Sequence, residues 1–284
     1  VIVEKLKAVL DRFYRTYPFR ERLYRDPIEF PHRYRHPRDI EVSAFIASCL
    51  AYGRVELFKA VIDTILTRMG KSPYDFILHF NIAKQRRLFE GIKYRFNENE
   101  DLVCLVFLLS GMLRRHVSLE EAFRNFYSEE DPDIGQGLTG FMKEFIGINT
   151  SPVYGSDERP RGLKQLLPSP ASGGSCKRAN LFLRWMIRDR DIDLGIWKGI
   201  PKNKLVIPLD THIARISRCL GLTERKSQDW KTALEITEAL KKFDPEDPLK
   251  YDFALCHHGI SGACRGENQR TCSDCSFAAG VRLY

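Results

Sequence analysis

The chain has 284 residues, 43% of them hydrophobic and 29% charged, which reads as a soluble globular protein with apolar mass for one large or two modest domains. Its longest apolar run, Leu102 to Leu109, falls well short of the ~20 residues that span a bilayer, and the N-terminus lacks a charged-then-apolar signal pattern, so a cytoplasmic protein is expected. Forty-five Lys and Arg against 37 Asp and Glu leave a net charge of +8, a balance that suits a polyanionic partner without identifying one.

Leu6, Val9, Leu10 and Phe13 recur at helical spacing, so the chain opens with an amphipathic helix. A turn-rich basic piece follows, in which Arg20, Arg22, Arg25, Arg33, Arg35 and Arg38 are interleaved with Tyr24 and Tyr34. That pattern fits either a phosphate-tracking surface or a solvated connector. Pro37 suits the first turn of a helix, and the apolar stretch Ile40 to Ala51 predicts a buried central helix that stops at Tyr52-Gly53.

Arg54 to Met69 is helical with Gly70 at its end, and Ser72-Pro73 starts a short helix through Phe80. After the basic Lys84-Gln-Arg-Arg87, Leu102 to Leu113 forms a second strongly apolar helix, and Ser118-Leu-Glu-Glu121 is a capping box. Asp133 to Ile146 is a further helix whose first half is weakened by Gly135, Gly137 and Gly140. No segment alternates with a period of two, so the fold class is all-α.

Asn149 to Gly162 reads as an exposed loop. Leu163 to Pro168, a glycine-bearing turn Ser169 to Ser175, and Cys176 to Ile187 then spell helix, hairpin, helix. Backbone N–H groups at Gly173, Gly174 and Ser175 are placed to bind a phosphate without side chains. Arg188 to Asp193 and Gly195 to Gly199 form an insertion before Pro208-Leu-Asp-Thr-His, after which Thr211 to Leu220, Trp230 to Phe243 and Pro248 to His257 are helical.

Two residues in this region can carry chemistry. Lys177 and Asp210 lie thirty-three positions apart, one near the start of a helix and one at a turn. An amine and a carboxylate that converge in a cleft can open a glycosidic bond, the amine attacking carbon and the carboxylate carrying charge. Each also has a plain structural reading, Lys177 as a surface lysine and Asp210 as the N-cap of the helix beginning at Thr211. Trp185 and Trp197 fit either a core or a stacking surface for a base, and His212 is better placed for structure than for catalysis.

Lys177-Arg-Ala-Asn180 after the hairpin, Pro208-Leu-Asp-Thr-His-Ile-Ala-Arg215, Leu255-Cys-His-His-Gly259 and the closely spaced cysteines together resemble the helix-hairpin-helix DNA glycosylases, endonuclease III among them. The insertion between lysine and aspartate is closer to that of the archaeal 8-oxoguanine glycosylases. The whole chain also resembles a bacterial family of unknown function. The resemblance implies two helical domains flanking a cleft: residues 38–207 as a six-helix barrel carrying the hairpin, and residues 1–37 plus 208–284 as the second domain.

It also implies a base-excision enzyme acting on double-stranded DNA that holds a damaged base, with no obligate protein partner and a nucleoid-associated place in the cytoplasm. Lys177 is then the nucleophile and Asp210 its supporting carboxylate, with lyase action through a Schiff base. Partial burial is expected to lower the Lys177 pKa toward the working range. Tyr52 and Arg54 fall where the family meets DNA, and Trp185, Trp197 and His212 are candidates for the base pocket. A DNA-binding module that keeps the fold without the chemistry is the alternative, and an RNA-binding helical protein with a zinc tail is a third reading.

Cys256, Cys264, Cys272 and Cys275 crowd the C-terminus. In a cytoplasmic chain such crowding points to metal before disulfides. Three cysteines match the family's [4Fe–4S] ligands, Cys264, Cys272 and Cys275, while Val281 stands near the fourth place. Cys256 is a candidate replacement, and the open expectations are a cluster, zinc, or no metal.

Overall fold

Apolar residues spaced three to four apart become helix throughout. The computed structural model describes residues 2–262 and residue 277, and among them there is no β-strand, only isolated bridges joining Tyr94 to Asn97 and Gly174 to Asp229. The longer helices are α1 (Ile2–Arg15), α2 (Pro37–Leu50), α3 (Val55–Met69), α4 (Asn99–Arg115), α5 (Gly135–Gly147), α6 (Lys177–Ile187), α7 (Thr211–Cys219), α8 (Trp230–Lys241) and α9 (Asp252–Ile260). None among the described residues is long and apolar enough to cross a membrane.

Helix α2 is buried from Asp39 to Leu50, as its apolar run requires, and packs most extensively on α6. Phe45 stacks on Phe145 of α5 with ring centres 5.1 Å apart and takes Phe182 of α6 edge-on at 5.2 Å. The three glycines do not break α5. A Cβ at Gly137 would come within 2.8 Å of Phe123, and one at Gly140 would run into Phe126, so these positions trade helix propensity for close packing. At the predicted capping box, Ser118 Oγ accepts from the Glu121 N–H at 3.1 Å, while Glu121 reaches one residue further back, to the Val117 N–H at 2.9 Å.

Helix α1 meets the region around α9. Tyr251 donates to Asp11 Oδ1 at 2.6 Å, Lys250 lies 3.0 Å from the same oxygen, and Phe13 of α1 packs edge-on against His258 of α9. Helix α9 also packs on α7, where a Cβ at Gly259 would come within 2.7 Å of the His212 Cβ. Only glycine lets these two helices approach so closely.

Arg184 of α6 and Arg188, the residue just past its end, tie the helix to the insertion and to the region around α9. Arg184 and Arg188 are each 2% exposed. Arg184 pairs with Asp193 at 3.2 Å and with Asp252; Arg188 bonds Asp247 at 2.9 Å, Asp193 at 2.9 Å and Asp191 at 2.7 Å. Charges so deeply buried persist only when paired on several sides.

Glu41 is a second buried charge. Its carboxyl group accepts from the Leu119 N–H, the Glu120 N–H and Trp197 Nε1, each at 2.8 Å, joining α2 to the short helix Leu119–Arg124 and to the insertion. Burial pushes its pKa up to about 7 despite these donors. A carboxyl raised in the folded state stabilises most below the ordinary Glu value, and that contribution is lost as pH rises through about 7. Glu41→Gln is expected to flatten the fall in thermal midpoint across this window, and at neutral pH to cost about 1–3 kcal/mol, since its amide NH₂ must face one of three donors. Parallel thermal melts of both proteins across that pH range check this.

Candidate active site

The hairpin is built from residues that turn the chain sharply. The short helix Arg161–Leu166 ends before a 3-10 turn, Pro170–Ser172, which Gly173 closes in the left-handed region at φ 76°. Gly174 bridges to Asp229, the Trp230 N–H donates to the Gly173 carbonyl at 3.1 Å, and Ser175 Oγ donates to the Leu209 carbonyl at 3.2 Å. Cys176, buried and also left-handed at φ 50°, then starts α6. The Ser175 bond draws the start of α6 toward the segment that ends in Asp210.

Lys177 is the first residue of α6, and Asp210 caps α7. The two carboxylate oxygens of Asp210 divide their work. Oδ1 accepts from the His212 and Ile213 N–H groups at 2.9 Å each, while Oδ2 lies 3.1 Å from Lys177 Nζ. The sequence allowed the cap and the ionic role together, and the geometry shows both. Side-chain exposures of 32% for Lys177 and 14% for Asp210 leave the pair reachable from solvent.

Electrostatics correct one expectation. Burial disfavours the Lys177 ammonium, but Asp210, with Cys256 and Asp26 adding to it, more than offsets that, and the lysine pKa stands raised rather than lowered. Burial likewise opposes the Asp210 charge and is more than offset by Lys177 together with the Ile213 N–H and His212, leaving its pKa lowered. The resting pair is ammonium and carboxylate.

Cys256 of α9 belongs to this cluster. Its thiol donates to Asp210 Oδ2 at 3.6 Å, and burial together with the neighbouring carboxylate holds its pKa well above the usual thiol value. Cys256, the candidate fourth ligand beside the tail cysteines, thus has its thiol on Asp210. Cys264, Cys272 and Cys275 lie outside the described residues. Among those described, no group of three His, Cys, Asp or Glu side chains is placed to hold a metal ion.

The expected base-stacking tryptophans are also corrected. Trp185 is 0% and Trp197 2% exposed, and Trp197 sits edge-on to Phe182 with its Nε1 spent on Glu41, so neither can meet a base without opening the core. His212 uses its ring to pack against Gly259, with Nδ1 3.4 Å from the Arg215 guanidinium, which makes it a contact between α7 and α9.

Tyr52 is half-buried. Its hydroxyl donates to Asn97 Oδ1 at 2.6 Å, and its ring lies under Arg178 at 5.0 Å and Arg95 at 5.8 Å. Arg54 is exposed at the head of α3. Beside them is a feature that sequence reasoning missed: the Tyr94–Asn97 turn, with Arg95 left-handed at φ 52° and Phe96 59% exposed. Arg95 and Phe96 carried no motif, and only the fold sets them against Tyr52 and Gly53.

Of the cations in the N-terminal connector, Arg33 is tied to Glu29 and Asp63, and Arg38 to the Tyr74 hydroxyl. A depression of about 400 Å³ lined by Leu23, Tyr24, Glu29, His32 and Arg33 lies on this connector and contains neither Lys177 nor Asp210. Its polar groups are already engaged, Glu29 with Arg33 and Lys59, and His32 with the Ile192 carbonyl.

No curated protein and no solved structure matches the chain. A family profile described as protein of unknown function (DUF2400) matches residues 26–261, a span that runs from Asp26 through Lys177 and Asp210 to α9. The match covers well over half of the sequence, and the chain therefore belongs to the DUF2400 family.

Proposed function

We propose that the protein is a DNA base-excision glycosylase with lyase action, built on the helix-hairpin-helix glycosylase fold, with residues 38–207 as the barrel and residues 1–37 plus 208–284 as the second domain. The observation that carries this reading is the 3.1 Å approach of Lys177 to an Asp210 that also caps α7. A carboxylate locked by two backbone donors is a fixed charge, and a fixed charge beside an amine suits a reaction that passes through a cationic sugar. The hairpin and the resemblance of its flanking residues to the glycosylases supply the DNA context.

Chemistry begins with a proton. Lys177 rests as ammonium, and Asp210 Oδ2 is an acceptor within 3.1 Å. A nucleotide seated over the pair removes water from both groups, and desolvation favours the neutral amine and acid over the ion pair. The amine then attacks the anomeric carbon as the bond to the base breaks; the base leaves with the electron pair and draws the proton off Asp210 Oδ2, which restores the carboxylate beside the cationic sugar. Loss of a proton from nitrogen and opening of the sugar ring give a protonated imine. Removal of a C2′ proton expels the 3′ phosphate, and water releases the lysine.

Borohydride reduces the imine to a stable amine, so a covalent protein–DNA adduct on duplexes bearing 8-oxoguanine, uracil, an oxidised pyrimidine or an abasic site is the expected result. Lys177→Ala is expected to give none. Salt-sensitive binding with no adduct or base release on any duplex would overturn the enzyme reading in favour of a non-catalytic DNA-binding module.

The phosphate-binding role is assigned to the exposed Gly173–Gly174 turn and to Arg54, with Arg22 of the N-terminal connector. Removing one cation that neutralises a phosphate reduces the slope of log affinity against log salt by about 0.9. Arg54→Ala and Arg22→Ala are each expected to lower that slope by about this amount in fluorescence anisotropy titrations, while adduct formation at low salt persists.

A further inference from the structure

We propose that Tyr17 and Asp26, the latter paired with the buried His257, form the wall that receives the everted base, and that this wall accepts a base turning N–H donors toward Asp26. The inference rests on the reading of Lys177 and Asp210 above and adds the binding surface that reading lacks, since both tryptophans are in the core.

The wall is continuous with the reacting pair. Asp210 Oδ2 takes the Cys256 thiol on one side and Lys177 on the other. The next residue of α9, His257, places Nε2 3.0 Å from Asp26 Oδ2. The His257 ring lies against Phe253 with centres 4.2 Å apart, and Phe253 meets Tyr17 at 6.1 Å. Tyr17 is half-buried just beyond α1, and its hydroxyl makes no hydrogen bond among the described residues. Burial pushes that hydroxyl's pKa up to about 12, with Arg22, Cys256 and Asp26 the charged or polar groups acting on it.

These residues match what a base needs. An aromatic face offers stacking, and an open hydroxyl offers a polar contact at its edge. Asp26 is a carboxylate whose Oδ1 accepts the Ile28 N–H at 3.0 Å and whose Oδ2 faces His257, so each oxygen keeps a further acceptor position. An acceptor-only group of this kind selects bases that present N–H donors and rejects edges that present only acceptors.

An abasic site separates this wall from the lysine chemistry, because it has no base to bind. Asp26→Asn keeps the oxygen that accepts from Ile28, and Tyr17→Phe keeps the ring contacts, so both variants retain the packing. The experiment compares single-turnover base release from duplexes holding 8-oxoguanine, uracil or thymine glycol with borohydride adduct yield on an abasic duplex. Asp26→Asn is expected to slow release of the preferred base by about tenfold or more, and Tyr17→Phe by less, while neither lowers abasic adduct yield, since the Asp26 charge helps hold the Lys177 proton and its loss favours the free amine.

Equal losses on base-bearing and abasic duplexes would mean that Asp26 acts on the Lys177–Asp210 pair and would overturn the assignment. So would variants that change neither activity, or a wild type that traps on abasic DNA yet releases none of the three bases. Absence of any wild-type adduct, abasic duplex included, is the separate outcome that removes the lysine reading and this one with it.

Discussion

Asp210→Asn is expected to slow adduct formation by about 10²- to 10⁴-fold while leaving the fold in place. The two effects separate because the carboxylate oxygens do different work. Asparagine keeps one oxygen, which continues to accept from the His212 and Ile213 N–H groups, so the cap of α7 survives and stability changes by about 1 kcal/mol or less. The other position loses its charge, and with it the partner of Lys177.

The direction of the pH dependence makes this variant informative. Asp210 raises the Lys177 pKa, so its neutralisation lowers that pKa and moves the rising limb of the pH–rate profile to lower pH. More neutral amine at a given pH favours attack, whereas loss of the fixed negative charge disfavours the cationic transition state. The expectation is that the second effect wins. A faster Asp210→Asn enzyme at neutral pH would show that the carboxylate merely holds the lysine proton, and unchanged kinetics would remove Asp210 from the chemistry. Borohydride trapping rates across the pH range, with thermal melts alongside, decide among these.

Arg188→Leu is expected to cost about 3–5 kcal/mol, because Asp191, Asp193 and Asp247 lose the cation they share. For a chain of this size that is a drop of roughly 6–20 °C in thermal midpoint. Burial already raises the pKa of Asp193, with Arg184 and Arg188 holding it down, so losing Arg188 raises it further. A carboxyl raised in the folded state regains its stabilising contribution as pH falls below its folded value, so the deficit should shrink as pH falls from neutral toward the ordinary Asp range. Calorimetry at both ends checks it, and an equal deficit at both would show that the loss is one of packing. Activity should suffer as well, since Arg184 and Arg188 anchor the far end of α6, whose first residue is Lys177.

Much of the architecture was legible because helices depend on near neighbours. Spacing of Leu6, Val9, Leu10 and Phe13, the apolar run of α2 and the Ser118 cap are all local properties, and each became the expected element. Where local rules competed with packing, packing prevailed. Gly137 and Gly140 argue against helix by propensity, yet they sit inside α5 because Phe123 and Phe126 need the room.

The sequence by itself determined an all-helical chain, the hairpin before Lys177, and an Asp210 competent both to cap α7 and to carry charge. Only the tertiary structure decided that the two residues touch, that the lysine rests protonated, and that the Cys256 thiol meets Asp210. It alone buried Trp185 and Trp197 and brought Tyr17 and Asp26 to α9 from more than two hundred positions away. The physical reason is one of range. Propensity, capping and periodicity act over a few residues along the chain, whereas burial, ion pairing and pKa depend on which distant segments share a volume, and no local pattern specifies that.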